Sequence, residues 1–302
     1  MFNTERVRIL TNEEFISNNF VSYHKDLLGV ENLYKQGITG KGLVCAVLDS
    51  GCDKNHPMLK NKIIGGKNFT KEGGVNDFTD FNGHGTHVAG IISSDPYGPF
   101  KGGVAPDAKL LICKVLTRDG SGDVYSIINA IKYAIDKKVN VINMSLGTTY
   151  NDPLLYNIVK QAYDAGIVIC CASGNEANGD NGKVDEFCYP GAYQEVIEVG
   201  SINQDKIPSY FSNSNHLIDC VGYGENILST FPDNRFCLMD GTSQATPVIT
   251  GCVLLLKQWF MKEFKREPSK DEIYAALIKC SITMENYSRK QTGFGFIDLN
   301  KI

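Results

Sequence analysis

Short runs rich in β-branched and other apolar residues alternate along this chain with longer segments of helical spacing. Such runs, apolar at most consecutive positions, are typical of parallel strands that are buried on both faces. They occupy residues 43–48, 109–116, 139–145, 166–173 and 195–202. The pattern therefore predicts a parallel sheet that contains these five strands.

The segments between these runs have the features of amphipathic helices. Residues 123–138 place their branched apolar side chains on one face, with Asp123 as a candidate N-cap and lysines in the last turn. Residues 151–166 repeat the pattern and end in Gly166. Strands and helices that alternate at this length form right-handed βαβ crossovers. We therefore predict an α/β fold with a doubly wound, mostly parallel β-sheet and helices on both faces.

The first 35 residues do not follow this rhythm, and they precede the first predicted strand. The rest of the chain has no internal repeat, low-complexity linker or change of composition. We therefore expect an N-terminal extension over residues 1–35 and a single domain over residues 36–302.

Composition excludes several classes of partner. A formal net charge of −4 and a pI near 5.8 leave no basic surface of the kind that nucleic-acid phosphates require. The longest apolar run, Val248 to Leu256, is too short to span a bilayer. The first twenty residues contain charges throughout and lack the apolar stretch of a secretory signal. We expect a cytoplasmic protein that binds neither nucleic acid nor membrane.

The cysteines are distributed like small hydrophobic residues. The chain has ten of them, no two form a CxxC pair, and several lie inside the apolar runs. Without an export signal, this placement favours buried thiols over a disulfide framework.

Polar residues and glycines follow three of the predicted strands at the point where each strand ends. In an open α/β sheet, ligands bind at the carboxyl ends of the strands. Asp49 follows the first run, Ser145, Leu146 and Gly147 follow the third, and Ser173, Gly174 and Asn175 follow the fourth.

A histidine pair and a serine complete the candidate chemistry. His84 and His87 lie in FNGHGTHVAG at residues 81–90, which reads as a loop entering a short helix. A zinc site needs both histidines on one helical face and further ligands, and the glycines on both sides of His84 fit this poorly. Ser243 lies at the start of a predicted buried helix, where free N–H groups and the helix dipole favour a developing negative charge.

Each of these residues also has an ordinary structural use. A serine before a helix is usually an N-cap, an aspartate at a strand end often caps a turn, and an asparagine beside glycine tolerates a left-handed backbone. A lone histidine is more often a structural residue than a catalyst. Separate structural uses do not explain why Asp49, His84, Asn175 and Ser243 all lie where sites form. Asp, His and Ser in this order supply the parts of an acyl-transfer triad.

Six motifs resemble those of the subtilisin-like serine proteases. They are AVLDSG at 46–51, NGHGTHVAG at 82–90, GVAPDAKLLICKVL at 103–116, VINMSLG at 141–147, SGNE at 173–176 and GTSQATP at 241–247. The resemblance extends from about residue 38 to about residue 298. Within the family, GCDKNHP, IIGGKNFT, ENILST and GFGFIDL are most similar to the bacterial intracellular subtilisins. The resemblance implies the subtilisin-like fold.

The resemblance implies a serine endopeptidase with a catalytic triad of Asp49, His84 and Ser243. Ser243 would attack the scissile carbonyl, His84 would take its proton and pass it to the leaving amine, and Asp49 would orient the imidazole. The side-chain amide of Asn175 and the backbone N–H of Ser243 would bind the oxyanion. His87 matches a structural histidine, and no catalytic cofactor is implied.

The resemblance also assigns residues to substrate binding. Two segments would be edge strands that pair with an extended peptide: Gly120, Ser121 and Gly122, and Ser145, Leu146 and Gly147. Ala172, Ser173 and Gly174 belong to the same binding site. Cys188 aligns with the floor of the pocket for the residue before the scissile bond. A small neutral residue there implies that apolar or medium-sized side chains are accepted.

Three features depart from the family pattern. Gln244 follows the nucleophile where the family usually has an oxidation-prone methionine. Met58 replaces an aspartate that usually helps to bind structural calcium, which puts that site in doubt and leaves other calcium sites open. Residues 7–15 resemble the N-terminal segment that blocks the active site of intracellular subtilisins, but they lack its proline. An inhibitory propeptide within residues 1–35 is therefore one interpretation of the extension.

Three functions stay open on the sequence alone. The leading hypothesis is a cytoplasmic serine endopeptidase of broad specificity, and the second is a dedicated peptidase that removes leader segments from modified peptides. The third is a catalytically silent module that keeps the fold for binding, which the four intact site residues argue against. The expected partner is a peptide or protein substrate. The oligomeric state is undetermined, with a dimer as one option.

Overall fold

The computed structural model describes residues 7–16, 22–177 and 182–302. The strands of this part are β1 (Val7–Ile9), β2 (Val44–Asp49), β3 (Ile63–Asn68), β4 (Lys109–Lys114), β5 (Val141–Met144), β6 (Val168–Ala172), β7 (Ile197–Ile202), β8 (Cys220–Tyr223), β9 (Ile227–Phe231), β10 (Arg235–Met239), β11 (Ser281–Ile282) and β12 (Phe296–Ile297). The helices are α1 (Asn12–Ile16), α2 (His24–Leu27), α3 (Glu31–Lys35), α4 (His84–Ile92), α5 (Val124–Asp136), α6 (Pro153–Asp164), α7 (Thr242–Phe264), α8 (Lys270–Cys280) and α9 (Arg289–Thr292).

Nine of these strands form one sheet in the order β11-β12-β8-β7-β6-β5-β2-β4-β3. Neighbouring strands are parallel except for β11 and β12 at one edge. The remaining three, β1, β10 and β9, form a small antiparallel sheet. The doubly wound, mostly parallel α/β fold predicted from the sequence is confirmed.

The alternation of side chains along the strands divides the apolar core into two parts. In β2, Cys45 and Val47 belong to the larger core, which also contains residues of α4, α7 and α8. Ala46 and Leu48 belong to a second core, which contains residues of α5 and α6. The sheet is therefore the middle of three layers, and this explains why its central strands are apolar at consecutive positions.

The five predicted strands correspond to β2, β4, β5, β6 and β7, and their ends agree within two residues. The hydrophobic pattern does not predict β3 or β8. β3 contains Gly65 and Gly66, and β8 spans four residues that include Gly222. Glycines weaken the apolar pattern by which strands are recognised.

The two predicted helices are α5 and α6, and both begin at side-chain caps. The carboxylate of Asp123 accepts a hydrogen bond from the backbone N–H of Ser126 at 2.9 Å. Asp152 accepts one from Leu154 at 2.7 Å, and Pro153 occupies the first helical position. These caps satisfy N–H groups that have no partner within the helix.

Helix α7 is buried along most of its 23 residues and packs beneath β5, β6, β7 and β8. Gly251 permits a close approach to the segment before β4, because a Cβ at this position would lie 2.4 Å from the Cβ of Val104. The helix begins at the edge of the sheet where β5 and β6 end. Its position therefore brings Ser243 to the carboxyl ends of the strands.

The N-terminal extension contacts the domain at two places. β1 pairs with β10, and the ring of Phe15 in α1 stacks on that of Phe236 with centroids 4.1 Å apart. Further along the chain, Leu28 and Leu33 are fully buried in the larger core. Residues 28–33 are thus integral to the main core, whereas residues 7–16 pack on the small sheet.

Two bulk properties can be read from the described residues. All ten cysteines are free and buried, as expected for thiols used as small hydrophobic side chains. No helix in the described ranges is long and apolar enough to cross a membrane.

Candidate active site

A cleft of about 520 Å³ lies beside the start of α4 and the segments that follow β4 and β5. Because β4, β2, β5 and β6 are parallel neighbours in this order, the residues at their carboxyl ends lie along one edge of the sheet. The cleft is lined by Asn82, His84, Leu116, Gly120, Ser121, Gly122, Ser145, Leu146, Gly147 and Thr148, and also by Val7 and Met239.

His84, which lines this cleft, pairs with the buried Asp49 at the end of β2. The Nδ1 atom of His84 lies 2.8 Å from Oδ1 of Asp49, which also accepts a hydrogen bond from the backbone N–H of Ser50 at 2.7 Å. Asp49 is fully buried, whereas the ring of His84 is partly exposed. A hydrogen bond to Nδ1 leaves Nε2 as the free nitrogen and fixes the direction of the ring.

Asp80 is a functional-site residue that the sequence analysis missed. Its Oδ1 accepts hydrogen bonds from the backbone N–H of Gly83 at 2.8 Å and from the hydroxyl of Ser50 at 2.9 Å. Its Oδ2 accepts from the backbone N–H of Thr86 at 2.8 Å. This carboxylate therefore binds the first turn of α4 to the end of β2 and sets the position of His84. Its sequence signal is an acidic residue just before a helix start.

His84 and His87 lie on α4 in opposite electrostatic environments. Burial lowers the pKa of His84, but the charge and hydrogen bond of Asp49 and the charge of Asp80 outweigh it, and the pKa lies above its ordinary value of 6.5. Burial and the charge of His84 lower the pKa of His87 to about 3. The Nε2–H of His87 donates to the carbonyl of Ile227 at 2.9 Å, which ties α4 to the small sheet. His87 is therefore a neutral residue that contacts the protein backbone.

Ser243 is buried in the first turn of α7. Its hydroxyl donates to the carbonyl of Ser145 at 3.3 Å, and no hydrogen bond joins it to His84 among the described residues. Its backbone N–H belongs to the first helical turn, where such groups have no partner within the helix. In the absence of substrate, the hydrogen bonds of a nucleophile and its base are often long or poorly aligned.

A proline within α7 frees the carbonyl of Ser243 for another partner. Pro247 stands four residues after Ser243 and has no N–H to donate to that carbonyl. The hydroxyl of Ser145 donates to it instead, at 2.8 Å. Ser145 in turn accepts from Asn143 at 3.1 Å, and Asn143 accepts from Thr250 of α7 at 2.8 Å. This buried network fixes the turn that contains Ser243 to the end of β5.

Asn175 lies beside the same turn, after the end of β6. Its Oδ1 accepts hydrogen bonds from the backbone N–H of Thr242 at 2.9 Å and from the Thr242 hydroxyl at 2.8 Å. These bonds orient the amide, so its Nδ2 group is directed away from Thr242. Nδ2 is buried and has no hydrogen-bond partner among the described residues. An oriented, unsatisfied donor next to Ser243 is suited to bind a negative oxygen.

The two segments expected to pair with substrate both line the cleft. Neither is a strand of a sheet in the described structure. Gly122 forms a single bridge to Leu116, and Thr148 forms one to Tyr189. Gly120 has a left-handed φ of 77°, which turns the chain after Asp119.

Cys188 and the end of β6 enclose the space beside Leu146. The backbone of Thr148 exchanges hydrogen bonds with Tyr189, and the thiol of Cys171 lies 3.4 Å from the carbonyl of Leu146. Cys188 is 2% exposed, and burial raises the pKa of its thiol, which is therefore neutral. The segments that begin at Ser145, Ala172 and Cys188 thus lie against one another, as the walls of one pocket would.

The structure offers no candidate metal centre in the residues it describes, since no group of three or more His, Cys, Asp or Glu side chains could hold a metal ion there. Met58, at the position where the resemblance expects a calcium ligand, packs against the cluster that contains Phe15 and Phe236. An apolar contact thus occupies this position. Calcium binding elsewhere in the chain stays a prediction.

The subtilase family model matches residues 40–296, which is most of the chain. The chain belongs to the subtilase family. The protein is therefore a serine endopeptidase, as the resemblance implied.

Curated relatives of this subtilase include two intracellular enzymes. It is 48% identical over 265 residues to the intracellular serine protease of Paenibacillus polymyxa, covering 87% of this chain and 81% of the relative. It is 43% identical over 293 residues to the major intracellular serine protease of Bacillus subtilis (strain 168), covering 96% and 91%. Subtilisin E of the same strain is 37% identical over 247 residues, covering 81% and 64%. The expected similarity to bacterial intracellular subtilisins is confirmed.

The network around Pro247 makes a testable prediction for this subtilase. Ser145→Ala should destabilise the fold by about 1–3 kcal/mol, because it leaves the carbonyl of Ser243 buried without a donor. In the Ser145→Ala background, Pro247→Ala should recover part of this loss, since the new N–H can reach the same carbonyl. Free energies of unfolding from denaturant titration of the four proteins in this double-mutant cycle measure the effect. Equal costs of Ser145→Ala with and without Pro247 would contradict the assignment.

Proposed function

We propose that this subtilase is a cytoplasmic protease that degrades or processes proteins through a triad of Asp49, His84 and Ser243, with Asn175 in the oxyanion hole. The observation that carries the proposal is the 2.8 Å contact between Asp49 and His84 at the strand end that faces the start of α7. Two relatives of this chain are named as intracellular proteases, which supports a cytoplasmic location.

In the proposed reaction, the hydroxyl of Ser243 attacks the carbonyl carbon of the scissile bond. Nε2 of His84 accepts the hydroxyl proton, and Asp49 stabilises the imidazolium through Nδ1–H. The tetrahedral oxyanion receives hydrogen bonds from Nδ2 of Asn175 and the backbone N–H of Ser243. The imidazolium then donates its proton to the amine leaving group, and an acyl-enzyme forms.

Water completes the cycle by the same route in reverse. His84 takes a proton from the water that attacks the acyl carbon. It gives this proton to Oγ of Ser243 as the ester bond breaks and the carboxylic acid product leaves. The substrate would lie as an extended chain between residues 120–122 and 145–147, held by main-chain hydrogen bonds. Such contacts place little demand on side chains, so they favour an enzyme that accepts many sequences over one dedicated to a single leader peptide.

A fluorophosphonate probe, which phosphonylates an activated serine hydroxyl, tests the nucleophile. We expect one adduct, on Ser243, located by mass spectrometry of the digested protein. Ser243→Ala should abolish it, whereas Ser288→Ala, an exposed serine remote from the cleft, should leave it unchanged. A folded protein that takes no probe, with or without its first 21 residues, would favour the catalytically silent binding module.

The environment of His84 predicts a pH dependence. His84 acts as a base only when it is neutral, so activity is lost as pH falls through its pKa. Because Asp49 and Asp80 raise this pKa above 6.5, half-maximal kcat/KM should occur above pH 6.5.

The pKa can be measured directly by NMR titration of His84 in the Ser243→Ala protein. Adding Asp49→Asn removes the charge that favours the imidazolium and should lower the pKa. His87 is an internal control, since it should stay neutral throughout, in accord with its pKa of about 3. A pKa of His84 that is unchanged by Asp49→Asn would contradict the pairing of the two residues.

We further propose that part of the N-terminal extension inhibits the enzyme. Val7 lines the cleft together with His84, and β1 pairs with β10 in the register that sets Val7 opposite Met239. Leu28 and Leu33 are buried in the main core. The inhibitory part therefore ends before Ser22, since removal of later residues would open the core.

Removal of residues 1–21 should speed fluorophosphonate labelling of Ser243 by about tenfold or more, because the open state is only a fraction of the full-length population. Phe15→Ala in the full-length chain should have a smaller effect in the same direction, since it loosens the packing of α1 on Phe236. Rates of labelling measure both. Equal rates for the full-length and shortened chains would show that the extension does not inhibit.

A further inference from the structure

Glu198 is a carboxylic acid in the middle of a buried, apolar strand, and the proposed reaction does not use it. Its side chain is 0% exposed. Nδ2 of Asn215 donates to its Oε1 at 3.1 Å, while Oε2 has no hydrogen-bond partner among the described residues. An unsatisfied buried polar atom costs about 1–3 kcal/mol, so its retention calls for an explanation.

The carboxyl group lies behind the segments that are expected to form the pocket beside Ser243. β7 pairs with β6 so that Glu198 is in register with Cys171, whose thiol contacts the carbonyl of Leu146 in the pocket wall. Gly191 leaves room for the acid. A Cβ at Gly191 would lie 3.4 Å from Cγ of Glu198 and 2.7 Å from the carbonyl of Ala172. Gly191 thus lies against Cγ of Glu198 and against the carbonyls of Ala172 and Cys188, which belong to the expected pocket segments.

The strand register also fixes the depth of Glu198. Val199 pairs with Ala172, the last residue of β6, and its carbonyl accepts from the backbone N–H of Ser173 at 3.0 Å. Glu198 is one residue further from the mouth of the cleft. It therefore lies one residue deeper in the sheet than the strand end from which the expected substrate-binding residues 172–174 continue.

We propose that Glu198 forms the base of the pocket for the residue before the scissile bond and selects lysine or arginine there. The inference rests on the proposed protease function and specifies its substrate class. The ammonium or guanidinium group of the substrate donates to Oε2 of Glu198. The acid releases its proton to solvent when the ion pair forms. A basic preference replaces the apolar preference that the small side chain of Cys188 implies.

The titration of Glu198 is consistent with this role. Burial raises its pKa to about 8, against the lowering effect of the hydrogen bond from Asn215, and the charge of Asp219 raises it further. The other titratable groups that face it are the thiols of Cys171 and Cys188, which burial keeps neutral. The acid is thus largely neutral at pH 7 when the pocket is empty, and it can become charged when a cation enters.

The test compares peptides that differ only in the residue before the scissile bond, lysine or phenylalanine. The full-length enzyme is used, since any inhibition by the extension lowers kcat/KM for both peptides equally and cancels in their ratio. The lysine peptide should have a kcat/KM about tenfold or more above that of the phenylalanine peptide, the size expected for a charge-assisted hydrogen bond. Glu198→Gln should reduce this ratio by about tenfold or more, because glutamine keeps the shape but cannot become an anion.

Glu195→Gln is the matched control. It removes a carboxylate three residues earlier, whose Oε1 accepts from the hydroxyl of Tyr156 at 3.0 Å on the surface, and it should leave the ratio unchanged. A preference for phenylalanine in the unmutated enzyme, or a ratio that Glu198→Gln does not change, overturns the inference. Fluorophosphonate labelling does not depend on this pocket. Labelled Ser243 without a basic preference would therefore refute the role of Glu198 and leave the protease function intact.

The pH dependence of the ratio gives a second readout that needs no variant. The titration of His84 affects both peptides and cancels in the ratio. In the unmutated enzyme, the ratio should rise with pH as Glu198 becomes charged, with its midpoint near pH 8 and a plateau above that pH. If Glu198→Gln folds, its ratio should be flat over the same range. A flat ratio in the unmutated enzyme would also overturn the inference, since a purely structural acid has no reason to couple to the substrate.

Discussion

The site depends on the buried contact between the start of α7 and the ends of β5 and β6. Pro247 withholds an N–H from the carbonyl of Ser243, and the hydroxyl of Ser145 supplies the missing hydrogen bond from β5. On the other side, Asn175 accepts two hydrogen bonds from Thr242. Ser243 is thus held by its backbone and by neighbouring side chains, while its hydroxyl makes a long hydrogen bond, at 3.3 Å, to the carbonyl of Ser145. A fixed turn with a weakly bonded hydroxyl suits a group that must bond in succession to a base and to a substrate.

The position of His84 is established in a different way, by a buried charge. A buried carboxylate loses its hydration, and this loss is offset only by close hydrogen bonds. Asp80 accepts such bonds from the turn before α4, from its first residues and from Ser50 at the end of β2. Lys114 adds a buried cation that donates to the carbonyl of Ser50 at 2.7 Å. The carboxylate of Asp80 therefore joins the end of β2, which contains Asp49, to the start of α4, which contains His84. This connection holds the two side chains within hydrogen-bond distance.

The sequence predicts the parts of this molecule that repeat a simple pattern. The apolar runs identify β2, β4, β5, β6 and β7 because these strands are buried on both faces, and the residues after them include Asp49, Ser145 and Asn175. In the small sheet, β1 is not predicted, because it pairs with β10 more than 200 positions away. The local hairpin of β9 and β10 is not predicted either. Asp80 is not predicted for a related reason, since its role follows from the residues that it contacts in the fold. No local pattern separates it from an ordinary residue before a helix.

Glu198 is a buried acid that can be recognised in the sequence although it lies outside the family motifs. The family motifs contain the residues that the resemblance assigns to chemistry shared by many proteases. The resemblance also assigns the floor of the pocket to Cys188. In EVIEVGSI at 195–202, however, the second of two acids, Glu198, interrupts the apolar residues that follow Glu195. A buried polar residue is more informative than a buried apolar one. Any small apolar residue at this position would avoid the free-energy cost of desolvating a buried acid. Asn215 satisfies one oxygen, and the register with Cys171 places the acid behind the pocket wall, so the unsatisfied oxygen is best explained by a partner that arrives with the substrate.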